Sequence, residues 1–300
     1  MNNLSFTIRG VTFPNPVWVA SGTFGYGLEH AKYMDISQLG GICTKGISLL
    51  PRDGNPPPRI VETSSGMLNS IGLENVGIDA FLSDKLPKLR KLKATVIVNV
   101  YGTSEREYAE LAARLEGVEG IHGIELNLSC PNVRHGGMAF GVDPVLAAGV
   151  TQKVRAKTKL PLFVKLSPNV TDVTNIARAV EAAGADAISA INTLVGRSIN
   201  VQTGKMNLAN GVGGLSGPAI KPVAIRIVYD VARAVKIPVI GIGGISTIDD
   251  VLEFFRAGAT AVQIGTANFI DHTVSLRIRN ELSAALKQLG VDTPNELRVK

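Results

Sequence analysis

The chain has 300 residues, 45% of them hydrophobic and 19% charged. This composition can bury a large core and excludes a disordered chain, and no apolar run reaches the roughly 18 residues that cross a bilayer. The net charge of +6 is scattered and aromatic residues make up only 5%, which disfavours a nucleic-acid-binding surface.

The number of cysteines and the N-terminal sequence indicate the cellular compartment of the protein. Cys43 and Cys130 are the two cysteines of the sequence, so it has no disulfide framework and no cysteine spacing for a metal. The opening MNNLSFTIRG lacks the basic and apolar regions of a secretory signal. We expect a reduced, cytoplasmic protein.

Short β-rich runs alternate along the chain with stretches of helical periodicity. Ser104 with Glu107 has capping-box spacing, and Asp143 precedes a proline at a first helical position. Ser246 with Asp249 is expected to begin a helix that stops at Gly258. The predicted strands are 17–20, 41–44, 94–100, 123–128, 161–166, 186–191, 238–241 and 261–265.

Strands that are apolar on both faces and joined by helices indicate a parallel sheet covered on both sides. Eight of them favour a closed (β/α)₈ TIM barrel, and WVASGTFGYG (18–27) lacks the GxGxxG turn of a Rossmann sheet. The segment LSFTIRGVTFPNP (4–16) predicts an N-terminal β-hairpin closing the barrel bottom. No linker is visible, so we expect a single domain over 1–300.

Polar residues and glycines follow the predicted strands where a barrel gathers its chemistry, at the C-terminal ends. GIGGIS (241–246) and QIGTAN (263–268) end the last two strands, where a phosphate group is expected. The residues at or near the strand ends are Ser21, Thr44, Lys45, Gly46, Asn99, Asn127, Lys165, Asn192, Thr193, Gly243, Gly244, Gly265 and Thr266.

Long loops are expected over the mouth at 51–76, 129–141 and 196–217. The second has the composition of a lid and carries Cys130, a candidate acid–base or nucleophilic group. Glu125 alternates with Asn127 on its strand and is a candidate buried hydrogen-bonding residue, while Cys43 is interpreted as packing. The four histidines are scattered away from the strand ends.

Nine segments, taken in order, resemble the dihydroorotate dehydrogenases of the soluble class 1. The forms ASGTFGYG, NSIGLEN and ISLLPRDGNPPPR (47–59) resemble subclass 1B, whose catalytic chain works with an iron–sulfur and FAD subunit. The segments are ASGTFGYG (20–27), TKG (44–46), PRDGNPPPR (51–59), NSIGLEN (69–75), NLSCPN (127–132), FVKLSPN (163–169), INT (191–193), LANGVGGLSGPAIKP (208–222) and IGGI (242–245).

The resemblance implies oxidation of (S)-dihydroorotate to orotate by FMN, with Cys130 as the base on C5 and hydride transfer from C6 to flavin N5. The implied flavin contacts are Ser21, Lys45, Gly46, Asn99, Asn127, Lys165, Ile191, Gly217, Gly243, Gly244, Gly265 and Thr266. The implied substrate contacts are Lys45, Asn69, Ser70, Ile71, Gly72, Leu73, Asn127, Asn192 and Thr193.

The resemblance further implies a homodimer joined by two subunits carrying FAD and a [2Fe-2S] cluster, a heterotetramer that passes electrons to NAD⁺. Three alternatives stay open. The first is a class 1A-like homodimer that reduces fumarate, and the second is a flavoprotein similar to dihydropyrimidine dehydrogenase. The third is a flavin-free barrel lyase or isomerase acting on a sugar phosphate.

Overall fold

The structure is a computed structural model that describes residues 4–128 and 140–299. Residue Cys130 and most of the lid predicted over 129–141 lie outside the described residues.

Eight parallel strands close into a barrel in sequential order, and helices follow most of the strands along the chain. The last strand pairs with the first, with Gln263 opposite Trp18. The predicted (β/α)₈ barrel is thereby confirmed. Its strands are β1 (Val17–Val19), β2 (Gly41–Cys43), β3 (Val96–Val100), β4 (Ile121–Asn127), β5 (Leu162–Leu166), β6 (Ala187–Ala190), β7 (Val239–Ile242) and β8 (Ala261–Ile264).

The helices form the outer layer, and several begin at the side-chain caps that the sequence predicts. Asp143 caps a helix with proline at its first position, as predicted. Ser104 accepts from the Glu107 N–H, but Glu107 Oε2 accepts from the Thr103 N–H, so only half of the predicted capping box forms. The helices are α1 (Gly77–Ala80), α2 (Leu86–Lys91), α3 (Glu105–Leu115), α4 (Pro144–Arg155), α5 (Val173–Ala182), α6 (Lys221–Ala234), α7 (Ile248–Ala257), α8 (Ala267–Ile270) and α9 (Val274–Gln288), with a π-helical turn, Phe81–Lys85, between α1 and α2.

The predicted start of α7 was wrong by one residue. The capping box pairs Thr247 with Asp250, not Ser246 with Asp249. Both pairs have the same spacing, and Asp250 is preferred because its Oδ1 also forms an ion pair with Lys221 Nζ at 2.7 Å. The predicted stop is confirmed, since Gly258 ends the helix in the left-handed conformation with φ +112°.

The predicted hairpin closes the bottom of the barrel. Its strands, Phe6–Ile8 and Val11–Phe13, pair antiparallel. The Phe13 ring lies 4.7 Å from the Trp18 ring and 6.0 Å from the Phe163 ring, centroid to centroid, so the hairpin packs on side chains inside the barrel. This aromatic cluster blocks that end, and the opposite end is left for ligands.

An antiparallel sheet at the C-terminal end of the barrel is a feature that the sequence did not predict. Three of its strands lie in the loops predicted at 51–76 and 196–217, and the fourth, Leu194–Gly196, comes just before the second of these loops. We call it the mouth sheet, and its order is Leu194–Gly196, Gly213–Ser216, Gly66–Asn69 and Ile60–Thr63. Among the described residues no helix is long and apolar enough to cross a membrane.

Candidate functional site

Glu125 occupies the centre of the barrel and is fully buried. Its Oε2 accepts hydrogen bonds from Ser189 Oγ at 2.7 Å and Gln263 Nε2 at 2.8 Å, and its Oε1 accepts from Asn99 Nδ2 at 2.7 Å. Cys43 Sγ lies 3.9 Å from Oε2. The prediction that Glu125 is a buried hydrogen-bonding residue is therefore confirmed.

The Cys43 thiol stays neutral in this network. Burial first, and then the Glu125 carboxylate, raise the pKa of this thiol well above its ordinary value. A neutral thiol can donate weakly to the carboxylate, so Cys43 contributes to the network as well as to packing.

Lys165 places a buried ammonium above this carboxylate. The residue is 5% exposed, with Nζ 3.9 Å from Glu125 Oε1 and 3.3 Å from Ser21 Oγ. An ammonium has three N–H donors, and among the described residues Ser21 receives the single hydrogen bond that Nζ makes. Donors therefore remain for a ligand at the mouth.

Asn99 presents an acceptor at the same place. Its Nδ2 donates to Glu125, while its Oδ1 is buried and has no hydrogen-bond partner among the described residues. Gly46 stands beside this oxygen, since a Cβ there would come within 3.0 Å of Oδ1 and 3.8 Å of Leu73 Cδ2. The missing side chain leaves room for a planar ligand edge.

Asparagines on two further strands form a second polar group. Asn192 Nδ2 donates to Asn127 Oδ1 at 3.2 Å, and Asn192 Oδ1 accepts from the Thr193 N–H at 2.8 Å. Thr193 in turn contacts the mouth sheet, because a Cβ on Gly214 would lie 2.1 Å from its Oγ1. Asn69 Nδ2 reaches the Gly214 carbonyl at 3.4 Å. Substrate residues predicted from distant segments thus meet here.

The segment 69–75 joins the mouth sheet to Lys45. Gly72 and Leu73 both have positive φ, +78° and +59°, and Ser70 Oγ is buried without a partner among the described residues. The Lys45 ammonium lies 4.0 Å from Glu74 Oε2, and its side chain is 25% exposed. Lys45 is thus a more accessible cation than Lys165.

Two glycines after β7 and one after the mouth-sheet strand Gly213–Ser216 form a cradle of bare backbone. Gly217, Gly243 and Gly244 have φ of +93°, +134° and +73°, and a Cβ on Gly244 would lie 2.9 Å from the Gly217 carbonyl oxygen. Beside it, Thr266 Oγ1 hydrogen-bonds Ser216 Oγ at 2.8 Å. Such backbone can approach an anion closely, as the sequence predicted for a phosphate.

The donor set suits a flavin phosphate ester. A flavin ring would offer an N–H to Asn99 Oδ1, which lacks a partner in the described part of the chain, and an electron-rich edge to Lys165. The glycine cradle would suit its phosphate. Ile191 follows β6 and is buried, so it provides an apolar wall. In the described part of the chain no group of three His, Cys, Asp or Glu side chains could hold a metal ion.

Most predicted site residues come together at the mouth, and Cys130 lies outside the described residues. Sequence reasoning missed Ser189 and Gln263, which bind Glu125, and Ser216, which binds Thr266. The signal for the first two was a polar residue at an inward-facing position of an apolar strand.

Fold and site together define a (β/α)₈ barrel with a deep polar ligand site at its C-terminal mouth. Residues 3–286 match the family described as Dihydroorotate dehydrogenase. The chain belongs to this family.

Curated relatives share the name "Dihydroorotate dehydrogenase B (NAD(+)), catalytic subunit". The protein of Geotalea uraniireducens (strain Rf4) is 55% identical over 295 residues, 98% of this chain and 97% of the relative. That of Geobacter sulfurreducens is also 55% identical, with the same coverage. That of Anoxybacillus flavithermus is 52% identical over 296 residues, 99% of this chain and 95% of the relative.

Proposed function

We propose that this chain oxidises (S)-dihydroorotate to orotate in pyrimidine biosynthesis, with FMN across the barrel mouth. The proposal rests on one observation: the buried Lys165 ammonium and the Asn99 amide both approach Glu125 Oε1, and Asn99 Oδ1 has no hydrogen-bond partner among the described residues. The names of relatives more than half identical to the chain support the substrate.

The chain's residues divide between the two ligands. When bound, FMN supplies an acceptor at N5 for the hydride that leaves C6 of dihydroorotate. Lys165 and Asn99 hold the ring, aided by Ser21, and Gly46 lets it approach. The residues assigned to its phosphate are Gly243, Gly244, Gly265 and Thr266, with Gly217 beside them.

The substrate lies against the asparagine group and the mouth sheet. Amides of Asn127 and Asn192 match the alternating donors and acceptors of a pyrimidine ring, and the more accessible Lys45 meets the carboxylate. Asn69, Thr193 and segment 70–73 complete this side.

We assign to Cys130 the role of the base that removes the proton from C5. A thiol has an unperturbed pKa of about 8.5, which makes thiolate available near neutrality. As the thiolate takes the C5 proton, the electron pair of that C–H bond forms the ring double bond and the hydride leaves C6. This assignment rests on the sequence motif NLSCPN.

Electrons leave through a separate subunit. The relatives' name specifies a catalytic subunit and NAD⁺, which supports a separate partner subunit. We assign FAD and a [2Fe-2S] cluster to this partner from the sequence resemblance to subclass 1B. We assign a homodimer of this chain with two such partners, a heterotetramer located in the cytoplasm. The entire chain, 1–300, is assigned to one FMN-binding domain.

Steady-state assays with FMN-loaded protein test the reaction and its acceptor. Dihydroorotate should be oxidised with an artificial acceptor, while dihydrouracil should not. NAD⁺ should become an acceptor only when the partner subunit is added. Rapid turnover with fumarate by the chain alone would instead support a class 1A enzyme, and activity on dihydrouracil would support a dihydropyrimidine dehydrogenase.

A further inference from the structure

Hydrogen-bond donors surround the Glu125 side chain inside the barrel. Each described group that contacts its oxygens is a donor: one hydroxyl, two amides, a thiol and, at 3.9 Å, an ammonium. Both oxygens of the Glu125 carboxylate therefore act as acceptors.

A carboxylate in this place dictates how two amides are turned. Because it can only accept, Asn99 and Gln263 must both direct their NH₂ groups at Glu125. Their carbonyl oxygens then point elsewhere, and both are buried without partners among the described residues. Glu125 therefore determines that Asn99 presents an acceptor, and not a donor, to a ligand at the mouth.

Glu125 also acts on Lys165 by charge. The two groups are 3.9 Å apart and almost inaccessible to solvent, so their attraction is only weakly screened. The carboxylate offsets part of the positive potential that Lys165 presents to a ligand. Through the orientation of Asn99 and the potential at Lys165, Glu125 affects ligand binding at the mouth without contacting the ligand.

We propose that Glu125 is a positioning residue for the flavin. Its carboxylate orients Asn99 so that Oδ1 would accept a ring N–H, and its charge lowers the positive potential that Lys165 would present to the flavin. This inference rests on the proposed function, because it assumes that FMN is the ligand.

Glu125→Gln tests both effects at nearly constant shape. One carboxylate oxygen becomes an NH₂ group, so the new amide cannot accept from Asn99 and from the Ser189–Gln263 pair together, and the negative charge is lost. We expect the Kd for FMN, measured by fluorescence titration of the apoprotein, to rise at least tenfold. At a fixed ambient potential the ratio of reduced to oxidised flavin should rise about tenfold, which is about 30 mV for a two-electron couple.

Ser189→Ala is the matched control. It removes another hydrogen bond to the same carboxylate but leaves both the charge and the Asn99 contact. Its Kd for FMN and its flavin potential should match the parent protein even if its Tm falls. Parent-like Kd and potential in Glu125→Gln would overturn the proposal, and so would equal changes in Ser189→Ala.

A donor–acceptor swap keeps the proposal testable if Glu125→Gln does not fold. Asn99→Asp retains the Oδ1 acceptor but sets a second carboxylate against Glu125, and should weaken FMN binding. The double variant Asn99→Asp with Glu125→Gln restores the contact in reverse and should bind FMN more tightly than Asn99→Asp alone. Failure of the second change to improve binding would contradict the inference.

Measurements on the unmutated chain distinguish failure of the proposed function from failure of the role assigned to Glu125. If the unmutated chain binds no FMN, or holds it without reduction by dihydroorotate, the function itself is wrong. If the unmutated chain does both and Glu125→Gln behaves identically, only the role of Glu125 is wrong.

Discussion

Lys165 is a cation in a place where the barrel wall leaves it almost no water. A buried ammonium is costly unless it is paired and hydrogen-bonded, and Glu125 at 3.9 Å with Ser21 at 3.3 Å satisfies it only in part. The remaining interaction is available to a ligand. Lys165 therefore lowers the stability of the unliganded fold and strengthens the binding of a ligand at the mouth.

Lys165→Met should remove this interaction while filling similar space. We expect FMN affinity to fall at least tenfold, about 1.4 kcal/mol, and reduction by dihydroorotate to slow by about 10²-fold. Fluorescence titration and stopped-flow absorbance measure the two effects. Lys153→Met, at an exposed lysine of α4, is the control, and equal effects in both variants would contradict the role of Lys165.

Cys130→Ala should separate proton removal from binding. We expect kcat to fall by about 10²- to 10⁴-fold, the usual contribution of a general base, with an unchanged flavin spectrum. Cys43→Ala, at the other cysteine, should change kcat by no more than about threefold because that thiol packs and donates weakly. Steady-state kinetics measure kcat for both variants. A fully active Cys130→Ala enzyme would disprove the assignment of Cys130 as the base.

At the scale of elements, the turn after β7 depends on Gly244. Its φ is +73°, and a Cβ would meet Lys221 Cβ at 2.7 Å and the Gly217 oxygen at 2.9 Å. Gly244→Ala therefore forces Gly217 away and should weaken FMN binding at least tenfold, about 1.4 kcal/mol, as isothermal titration would show.

Gly10→Ala is the matched control for Gly244→Ala. Gly10 has φ +79° and nothing within 4 Å of its would-be Cβ, and it lies in the hairpin at the opposite end of the barrel. Both variants should lose about 1 kcal/mol or more of stability through backbone strain. Unaltered FMN affinity in Gly244→Ala would disprove the phosphate cradle.

The start of α7 gives a pH-dependent contribution to stability. Burial alone would raise the pKa of Asp250, but Lys221 and the Ser246 and Thr247 N–H groups outweigh it and hold the pKa below its ordinary value. A carboxyl with a lowered folded-state pKa stabilises the fold above its unfolded pKa of about 3.9, and this contribution is lost as the pH falls through the folded value.

Asp250→Asn should therefore cost about 1–3 kcal/mol of unfolding free energy near neutral pH. The difference from the parent protein should shrink as the pH falls below about 4. Urea unfolding at several pH values measures it. Asp249→Asn, at the exposed neighbour that the sequence favoured, should have little effect, and the reverse ranking would contradict the observed cap.

At the scale of the whole molecule, the two ends of the barrel have separate tasks. The aromatic cluster of the hairpin stabilises the bottom, and the polar groups occupy the mouth. Phe13→Ala should lower the unfolding free energy by about 3–5 kcal/mol because Phe13 is fully buried against Trp18. FMN affinity below the melting temperature should be unchanged.

Phe269→Ala removes the same side chain at a half-exposed position and should cost less than about 0.5 kcal/mol. Urea unfolding and FMN titration check both variants. A Phe13→Ala protein of full stability would show that the hairpin is not part of the core.

The sequence predicts the barrel well because each strand and helix is a local pattern, and parallel strands bring their C-terminal ends together. Lys165, Asn99 and Asn127 were found by that rule. The mouth sheet was not, because Gly66–Asn69 pairs with the distant Gly213–Ser216 and glycines hide the alternation. The α7 cap was misplaced because two adjacent hydroxyl residues each have an aspartate three positions on.

The buried network was only partly predictable. Glu125 was recognised by its alternation with Asn127, but its partners Ser189 and Gln263 lie on other strands, and their register across the barrel decides the contacts. Partner choice of this kind depends on closure of the whole barrel. No local pattern contains it.

An anaerobic titration tests the central claim most directly. The chain is loaded with FMN, freed of excess flavin, and given dihydroorotate in steps while the visible flavin absorption and the orotate formed are recorded. We predict complete bleaching, with one orotate formed for each flavin reduced. A flavin that dithionite reduces but dihydroorotate leaves oxidised would contradict it.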